Sequence, residues 1–325
     1  MSYRSAFFRI LPPLAAAFVL CEDARAQNYP EKAVRIVVPF PSGAGADIVT
    51  RLFTPNLAAA LGQQFIVDNR AGAGGNIGAE AVARTAPDGY TLLTAPASVA
   101  IGQSMYKNLR FDLARDFEPV ALLASAPFVL VVHSALPVRN VKDLIALAKA
   151  RPGQLTFASS GNGSSPHLTT EMFKMQAGVD MAHIPYKGTA FAVTDLIAGQ
   201  VSLTFGNTLS VLPHVASGRL RALGITSAKR SAAVPGLPTL AETGLPGFES
   251  STWFALLAPA GTPREIVTRL NAAVRTIGQT QEIRERIKEQ GAELMDGTPE
   301  QAGAHVRAEI AKWAKVVAAS GARVE

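Results

Sequence analysis

A chain of 325 residues, 48% of them hydrophobic, is long enough for one large domain or two of ordinary size and needs no covalent staples to hold a core. The only cysteine, Cys21, lies near the N-terminus, which excludes disulfides, thiolate metal sites and cysteine nucleophile chemistry from the rest of the chain. The formal charge of +6 is modestly basic, and no block of Lys and Arg interleaved with aromatics occurs, so the charge favours anionic ligands or an acidic membrane face over nucleic acid.

Residues 1–26 have the pattern of an export signal: Arg4 and Arg9 precede the apolar stretch Ile10 to Leu20, and Ala24-Arg25-Ala26 supplies small residues for cleavage. A mature chain is expected from Gln27 onward, placed in the periplasm. A lipoprotein signal on Cys21 is disfavoured by the bulky Phe18-Val19-Leu20 before it. An uncleaved anchor is disfavoured because the apolar run is short and contains Pro12 and Pro13, whereas a spanning helix needs about 20 apolar residues. The uncharged stretch Leu122 to Val132 is also too short to span.

The first strand is Arg35 to Phe40, followed by the loop Pro41-Ser42-Gly43-Ala44-Gly45-Ala46 and a helix from about Asp47 to Leu61. The same unit recurs as the strand Leu155 to Ser159, the loop Ser160-Gly161-Asn162-Gly163-Ser164-Ser165 and a helix from Pro166 to about Gln176. Further short strands, Phe65 to Asp68, Thr91 to Ala95, Ala182 to Pro185, Val201 to Phe205 and Arg221 to Thr226, alternate with helical stretches. This alternation predicts an α/β fold with parallel sheets covered by helices on both faces. Val120 to His133 reads as a strand crossing between two lobes, with Ser125-Ala126-Pro127 in its middle, and Phe248 to Leu257 reads as the return crossing. One lobe is then residues 27–124 plus 253–325, and the other is the inserted stretch 125–252. At the C-terminus Thr298 and Pro299 start a helix with Val306, Ile310, Trp313 and Val317 on one face and Gly321 after its end, so Trp313 is expected in a core.

A helix start presents unpaired N–H groups and about half a positive charge, so each strand–loop–helix unit is a candidate anion site without a basic side chain. The same glycines also suit tight turns, and spacing alone is compatible with both. Neither loop has the Lys-Ser/Thr pair of a phosphate loop. The third glycine cluster, Gly72-Ala73-Gly74-Gly75-Asn76-Ile77-Gly78, misses the dinucleotide fingerprint because Ile77 stands where its third glycine belongs. A hydrolase would have to use Ser164 or Ser165 with His167 and Asp195, and no Gly-x-Ser-x-Gly elbow supports it. His133, His183, His214 and His305 are scattered without metal-ligand spacing, and neither metal nor cofactor is expected. Asp47 is expected to cap the first helix, with a ligand contact as the alternative. Tyr186 is a better lining candidate than Lys187, and Trp253 and Phe254 suit either core or cleft floor.

Several segments in order carry a resemblance: Tyr29-Pro30; Pro39-Phe40-Pro41-Ser42-Gly43 with Asp47 and Arg51; Asn69-Arg70-Ala71-Gly72-Ala73-Gly74-Gly75; Pro87-Asp88-Gly89-Tyr90-Thr91-Leu92-Leu93. Ser159-Ser160-Gly161 with Gly163-Ser164 and His167-Leu168, His183-Ile184-Pro185-Tyr186-Lys187-Gly188, and Leu256-Leu257-Ala258-Pro259-Ala260-Gly261-Thr262-Pro263 continue it. In this order the chain resembles the extracytoplasmic receptors of tripartite tricarboxylate transporters, the Bug family. The resemblance implies a bilobal periplasmic binding fold joined by two hinge strands. Such a receptor closes on a carboxylate or dicarboxylate through loop backbone and ordered water, and delivers it to a membrane permease. It implies no enzyme activity. The expected ligand-binding residues are Pro41, Ser42, Gly43, Ala44, Asp47, Ser98, Ser160, Gly161, Gly163, Ser164, His167, Tyr186, Gly188 and Asn207, on a monomer. A ligand-binding sensory or scaffold subunit is the alternative to transport. Two features depart from the family pattern. Ala44 replaces a usual second glycine, which would narrow backbone approach to the ligand. Ser202 and Gly206 replace usual aspartates at what is expected to be the cleft edge, which favours a plain carboxylate over an amino acid.

Overall fold

The computed structural model describes residues 29–231 and 234–322; the segment 1–26 expected to be an export signal, with Cys21, lies outside the described residues. Strand β1 (Val34–Val38) leads into helix α1 (Gly45–Leu61), β2 (Phe65–Asn69) through a 3-10 turn (Ala73–Gly75) into α2 (Asn76–Ala83), and β3 (Thr91–Pro96) into α3 (Ala97–Met105). These three strands are parallel in the order β2-β1-β3. The second set has the same form: β5 (Thr156–Ser159) and α5 (Ser165–Ala177), β6 (Ala182–Pro185) and α6 (Thr189–Ile197), β7 (Leu203–Asn207) and α7 (Thr208–Ala216), in the parallel order β7-β5-β6. Helix α4 (Val141–Ala150) precedes this set and β8 (Leu220–Ile225) follows it.

The long strand β4 (Phe117–His133) joins the two sets. Its residues 117–127 pair with β9 (Ser251–Pro259), whereas Phe128 onward pairs with β7 on one side and β8 on the other. Pro127, which has no N–H to give a ladder, stands at this exchange of partners, where a missing donor costs least. The interruption expected at Ser125-Ala126-Pro127 is thus a change of neighbours inside a continuous strand. Because β4 crosses and β9 returns, both run antiparallel to their partners. The sheets are therefore mixed and not wholly parallel as expected, since a crossover strand enters each one from the opposite end. The helices α8 (Arg264–Gly278) and α9 (Gln281–Glu289), the two-residue strand β10 (Glu293–Leu294) against β4, and α10 (Pro299–Ser320) complete the chain.

Alternation along the strands divides each sheet's side chains between two faces. In the first sheet Ile36 and Val38 join a core under α1, α8 and α9, while Val37 joins one with α2, α3 and the start of α10. In the second, Phe128, Leu130 and Val132 face one core and Val129 and Val131 the other. Helix α10 spans both halves: Ala302 and Val306 lie in the first half's core, Trp313, Val316 and Val317 in the second's. It starts on a capping box between Thr298 and Gln301 and ends at Gly321 in the left-handed region at φ 68°. Glu309 within it is buried and accepts from the indole N–H groups of both Trp253 and Trp313, each at 2.9 Å, and pairs with Lys312 at 3.0 Å. Burial raises the Glu309 carboxyl, but Lys312 and the two indoles outweigh it and hold the group below the usual carboxylate range. Trp253 and Phe254 are both buried, so neither is an open cleft floor. Among the described residues no helix is long and apolar enough to cross a membrane.

Candidate functional site

The register shows where the loops converge. Pro96, the last residue of β3, pairs with Phe254 near the entry of β9, and Asn207, the last residue of β7, pairs with Phe128 beside the exchange point of β4. The C-terminal ends of both parallel sets therefore point at the same crossing, from opposite sides. At such ends the helices that follow present their N-termini to a crevice. The crossing is itself tied together. The Phe128 N–H donates to Thr226 Oγ1 at 2.8 Å, the Thr226 hydroxyl donates to the Ser250 carbonyl, and the Ser250 hydroxyl lies 2.6 Å from Thr169 Oγ1.

On the first side the loop after β1 exposes Pro41, Ser42 and Gly43, and Gly43 has φ 82°, a region glycine enters without strain. Ala44 has φ −73° and ψ 160°, an ordinary extended conformation, so its methyl group causes no backbone strain there. Gly45 is packed against the Phe254 ring, where an added Cβ would lie 3.3 Å from the ring, and this fixes the first turn of α1 against β9. Asp47 sits at the third position of α1, buried, and it does not bond the N-cap residue Ala44. Its carboxylate reaches back to accept from the Gly43 N–H at 2.9 Å and the Ser42 hydroxyl at 3.3 Å. It also accepts from Arg51 Nε at 2.9 Å and Asn69 Nδ2 at 3.0 Å. Asn69 further donates to the Phe40 carbonyl at 2.9 Å, so β2 and α1 jointly hold the loop. Burial alone would raise this carboxyl; the bonds from Arg51, Gly43 and Asn69 dominate and bring it down to about 2. Asp47 is the internal fastening of the loop. Ser98, at the start of α3, donates to the Gly74 carbonyl at 2.9 Å and so ties α3 to the third glycine cluster.

On the second side Ser160, Gly161 and Gly163 lead to Ser164, the N-cap of α5, whose hydroxyl accepts from the His167 N–H at 3.4 Å. The Gly163 N–H donates to His167 Nδ1 at 3.1 Å, so the imidazole carries its proton on Nε2. Its ring stacks on His183 at 4.0 Å between centroids, and His183 stacks on Phe157 at 4.7 Å. His183 Nε2 lies 2.7 Å from Ser159 Oγ, which accepts from the Gly161 N–H at 3.1 Å. Burial pushes His167 down to about 3, helped by His183 and Lys174, and burial with Lys174 pushes His183 down to about 4. Both rings are neutral at pH 7.

Tyr186 follows β6 and donates its hydroxyl to Asp195 at 2.8 Å; burial first and this acceptor second push the phenol up to about 12. Gly188, at φ 130°, is the N-cap of α6. Asn207 is the N-cap of α7, and its buried carboxamide oxygen has no partner among the described residues. Next to it the Thr208 hydroxyl donates to the Gly291 carbonyl at 3.2 Å, a contact from one half of the molecule to the other. The expectation for Ser202 needs correcting. It stands just before β7, at the opposite end from Asn207, and bonds to Thr156, so no side chain there borders the crevice. At Gly206 a Cβ would lie 2.3 Å from Val211 Cγ1, so no carboxylate fits without rearrangement.

The arrangement supports binding better than turnover. No ring nitrogen of His167 bonds Ser164, and Asp195 is engaged by Tyr186, so the residues imagined as a triad do not form a relay. Among the described residues no three His, Cys, Asp or Glu cluster to hold a metal. Sequence reasoning missed His183, Ser159 and Phe157. Phe157 and His183 are register partners on neighbouring parallel strands, and that pairing is invisible until the register is known.

Comparison with known proteins shows which family the fold and sequence match. Residues 49–322 match the sequence model of the tripartite tricarboxylate transporter family receptor. Protein BugT of Bordetella pertussis is 41% identical over 302 residues, covering 92% of this chain and 93% of that protein. Among solved structures, R. palustris Rpa4515 with adipate superposes with a TM-score of 0.81 at 41% identity, over 91% of this chain and 100% of that one. MatC (Rpa3494) from Rhodopseudomonas palustris with bound malate superposes with a TM-score of 0.77 at 33% identity, over 89% of this chain and 100% of that one.

Proposed function

Because this chain belongs to the tripartite tricarboxylate transporter receptor family, a family of solute-binding proteins and not of enzymes, we propose that it captures a small carboxylate or dicarboxylate between its two halves for delivery to a membrane permease. The observation that carries the reading is the convergence of two glycine loops and their helix N-termini on one crossing point, with Asp47, the carboxylate of the first loop, buried and bonded back to that loop. An anion there meets backbone N–H groups and the positive ends of helices. Ser42, Gly43 and Ala44 with Ser98 line one side; Ser160, Gly161, Gly163, Ser164 and His167 with Tyr186, Gly188 and Asn207 line the other. Adipate in one structural relative and malate in another support a carboxylate ligand. The lobes are residues 27–124 with 253–325, and 125–252. The exchange of strand partners at Pro127 and the Thr226–Ser250 tie support hinges at those joints. The mature chain starts near Gln27 and acts in the periplasm as a monomer.

The test is a thermal-shift screen of the protein from Gln27 onward against mono-, di- and tricarboxylates and aromatic acids. A ligand at about 100 times its Kd stabilises the native state by roughly 2.7 kcal/mol, a readable shift in Tm. The expected result is a response to one class of carboxylate with no consumption of the acid, abolished by Ser164→Trp. Replacing the cap hydroxyl itself costs about 1 kcal/mol of stability, so the variant's fold is checked in parallel. Undiminished affinity in the folded variant sinks the assignment of the second loop.

A further inference from the structure

We infer that the ligand carries carboxylate but no ammonium group, a restriction that rests on the carboxylate-receptor reading above. An α-ammonium needs an acceptor charge to replace its water, and burying it without one is unfavourable. The acidic residues at the ends of the six parallel strands, in the loops that follow and in the first two turns of the helices after them are Asp47, Asp68, Glu80, Glu171 and Asp195. Each is occupied. Asp47 is held by Arg51, Gly43 and Asn69; Asp68 pairs with Arg70 at 2.9 Å; Glu80 pairs with Arg84 one helical turn on. Glu171 pairs with Lys174 at 3.1 Å and Asp195 accepts from Tyr186. The segments after β3 and β7 contain no acid, and the carboxamide oxygen of Asn207 is shut away from the surface.

What these loops offer instead is donors. The proton of His167 sits on Nε2 because Nδ1 accepts from Gly163, and the ring is neutral, so it gives a hydrogen bond and takes none at that atom. Lys187, exposed in the turn before α6, has no carboxylate partner among the described residues. The helix starts add partial positive charge. A carboxylate gains from all of these, and an ammonium two bonds away from it opposes them.

The measurement is calorimetric titration of the mature protein with matched acids that differ only by the amine: glutarate against glutamate, adipate against 2-aminoadipate, and phenylacetate against phenylglycine. In every pair that binds, the amine-free acid is expected to bind at least about 30-fold more tightly, on the scale of about 2 kcal/mol. An amino acid that binds as tightly as its partner overturns the inference while leaving the carboxylate receptor intact. Silence from the entire panel overturns the carboxylate reading and the inference with it. Arg51→Gln provides a second readout. Releasing one partner of Asp47 gives an ammonium a carboxylate to approach, so the discrimination should shrink to under about 10-fold; an unchanged ratio removes Asp47 occupancy as its cause.

Discussion

The loop after β1 and the loop after β5 have the same outline, a strand end, a glycine turn and a helix start, but they are fastened by opposite means. The first is held by a buried ionised carboxylate, with Asp47 reaching back along its own helix to Gly43 while Arg51 balances its charge. The second is held by neutral rings, with His167 accepting from Gly163 and His183 supporting Ser159 behind Gly161. In both cases the fastening takes up loop N–H groups, those of Gly43, Gly161 and Gly163, and what is left for a ligand is the first-turn N–H groups of the helices that follow. A site built this way takes its rigidity from side chains bonded to their own loops, with the Nε2–H of His167 left over for a ligand.

The largest effect is expected from the charged fastening. Asp47→Asn preserves shape, but the amide cannot accept at every point where two carboxylate oxygens did, and its NH2 group opposes Arg51 or Gly43. Affinity for the carboxylate found in the thermal screen should fall roughly 100-fold, equivalent to about 2.7 kcal/mol. Stability should fall by about 1–3 kcal/mol, as expected when buried hydrogen-bonding groups lose partners. Calorimetric titration alongside urea denaturation checks both. Unchanged affinity would show that the first loop keeps its form without the carboxylate.

The neutral fastening predicts a different pH dependence. Unfolded histidine takes its proton near pH 6.5, whereas His183 and His167 in the folded protein do so only near about 4 and about 3. As pH falls below 6.5 the unfolded state binds more protons than the native one, so stability drops with acidification, by at most about 1.4 kcal/mol per pH unit for each ring. Asp47, with its pKa lowered to about 2, has the same sign but a lower window: its contribution is full above the ordinary value of 3.8 and is lost as pH falls from there toward 2. The groups packed around the rings are Phe157, Ser159, the Gly163 N–H and Lys174, and none of them is an anion that would favour protonation. Between pH 7 and 5 the protein should lose up to about 4 kcal/mol to the two rings, and His183→Phe, which can still stack, about half of that. An identical loss in the variant would place the acid sensitivity elsewhere.

Much of this architecture was legible before any coordinates. The paired strand–loop–helix units, the crossing at Val120 to His133 and the Thr298 to Gly321 helix are local patterns, set by strand alternation, glycine and capping chemistry, and local patterns survive in sequence. What sequence hid was relational. Asn69 and Arg51 meet Asp47 only because β2 lies beside β1, and His183 meets Phe157 only through the register of β5 and β6. The sequence pattern starts the strand at Val201, two residues before β7 begins, and carries no signal of which end of the strand meets the crevice, so it does not separate Ser202 from Gly206. Such a strand spans about 17 Å, enough to move a side chain from one edge of the sheet to the other.

The smallest effect is expected at Tyr186, and it separates the wall of the site from its fastenings. Its backbone N–H bonds the Ser159 carbonyl at 3.0 Å and its hydroxyl bonds Asp195 on the following helix. Tyr186→Phe deletes only the second bond and leaves Asp195 partly solvated, so stability should fall by no more than about 1 kcal/mol. Affinity for an amine-free acid should change less than about 3-fold, because the phenol's hydrogen goes to the protein and not to the crevice. The informative quantity is the ratio between matched acids with and without an amine. Removing the phenol frees one oxygen of Asp195, so any gain in affinity for the amino acid alone would locate the ligand's second carbon beside α6. A uniform loss for both acids would show instead that the ring is simply part of the wall.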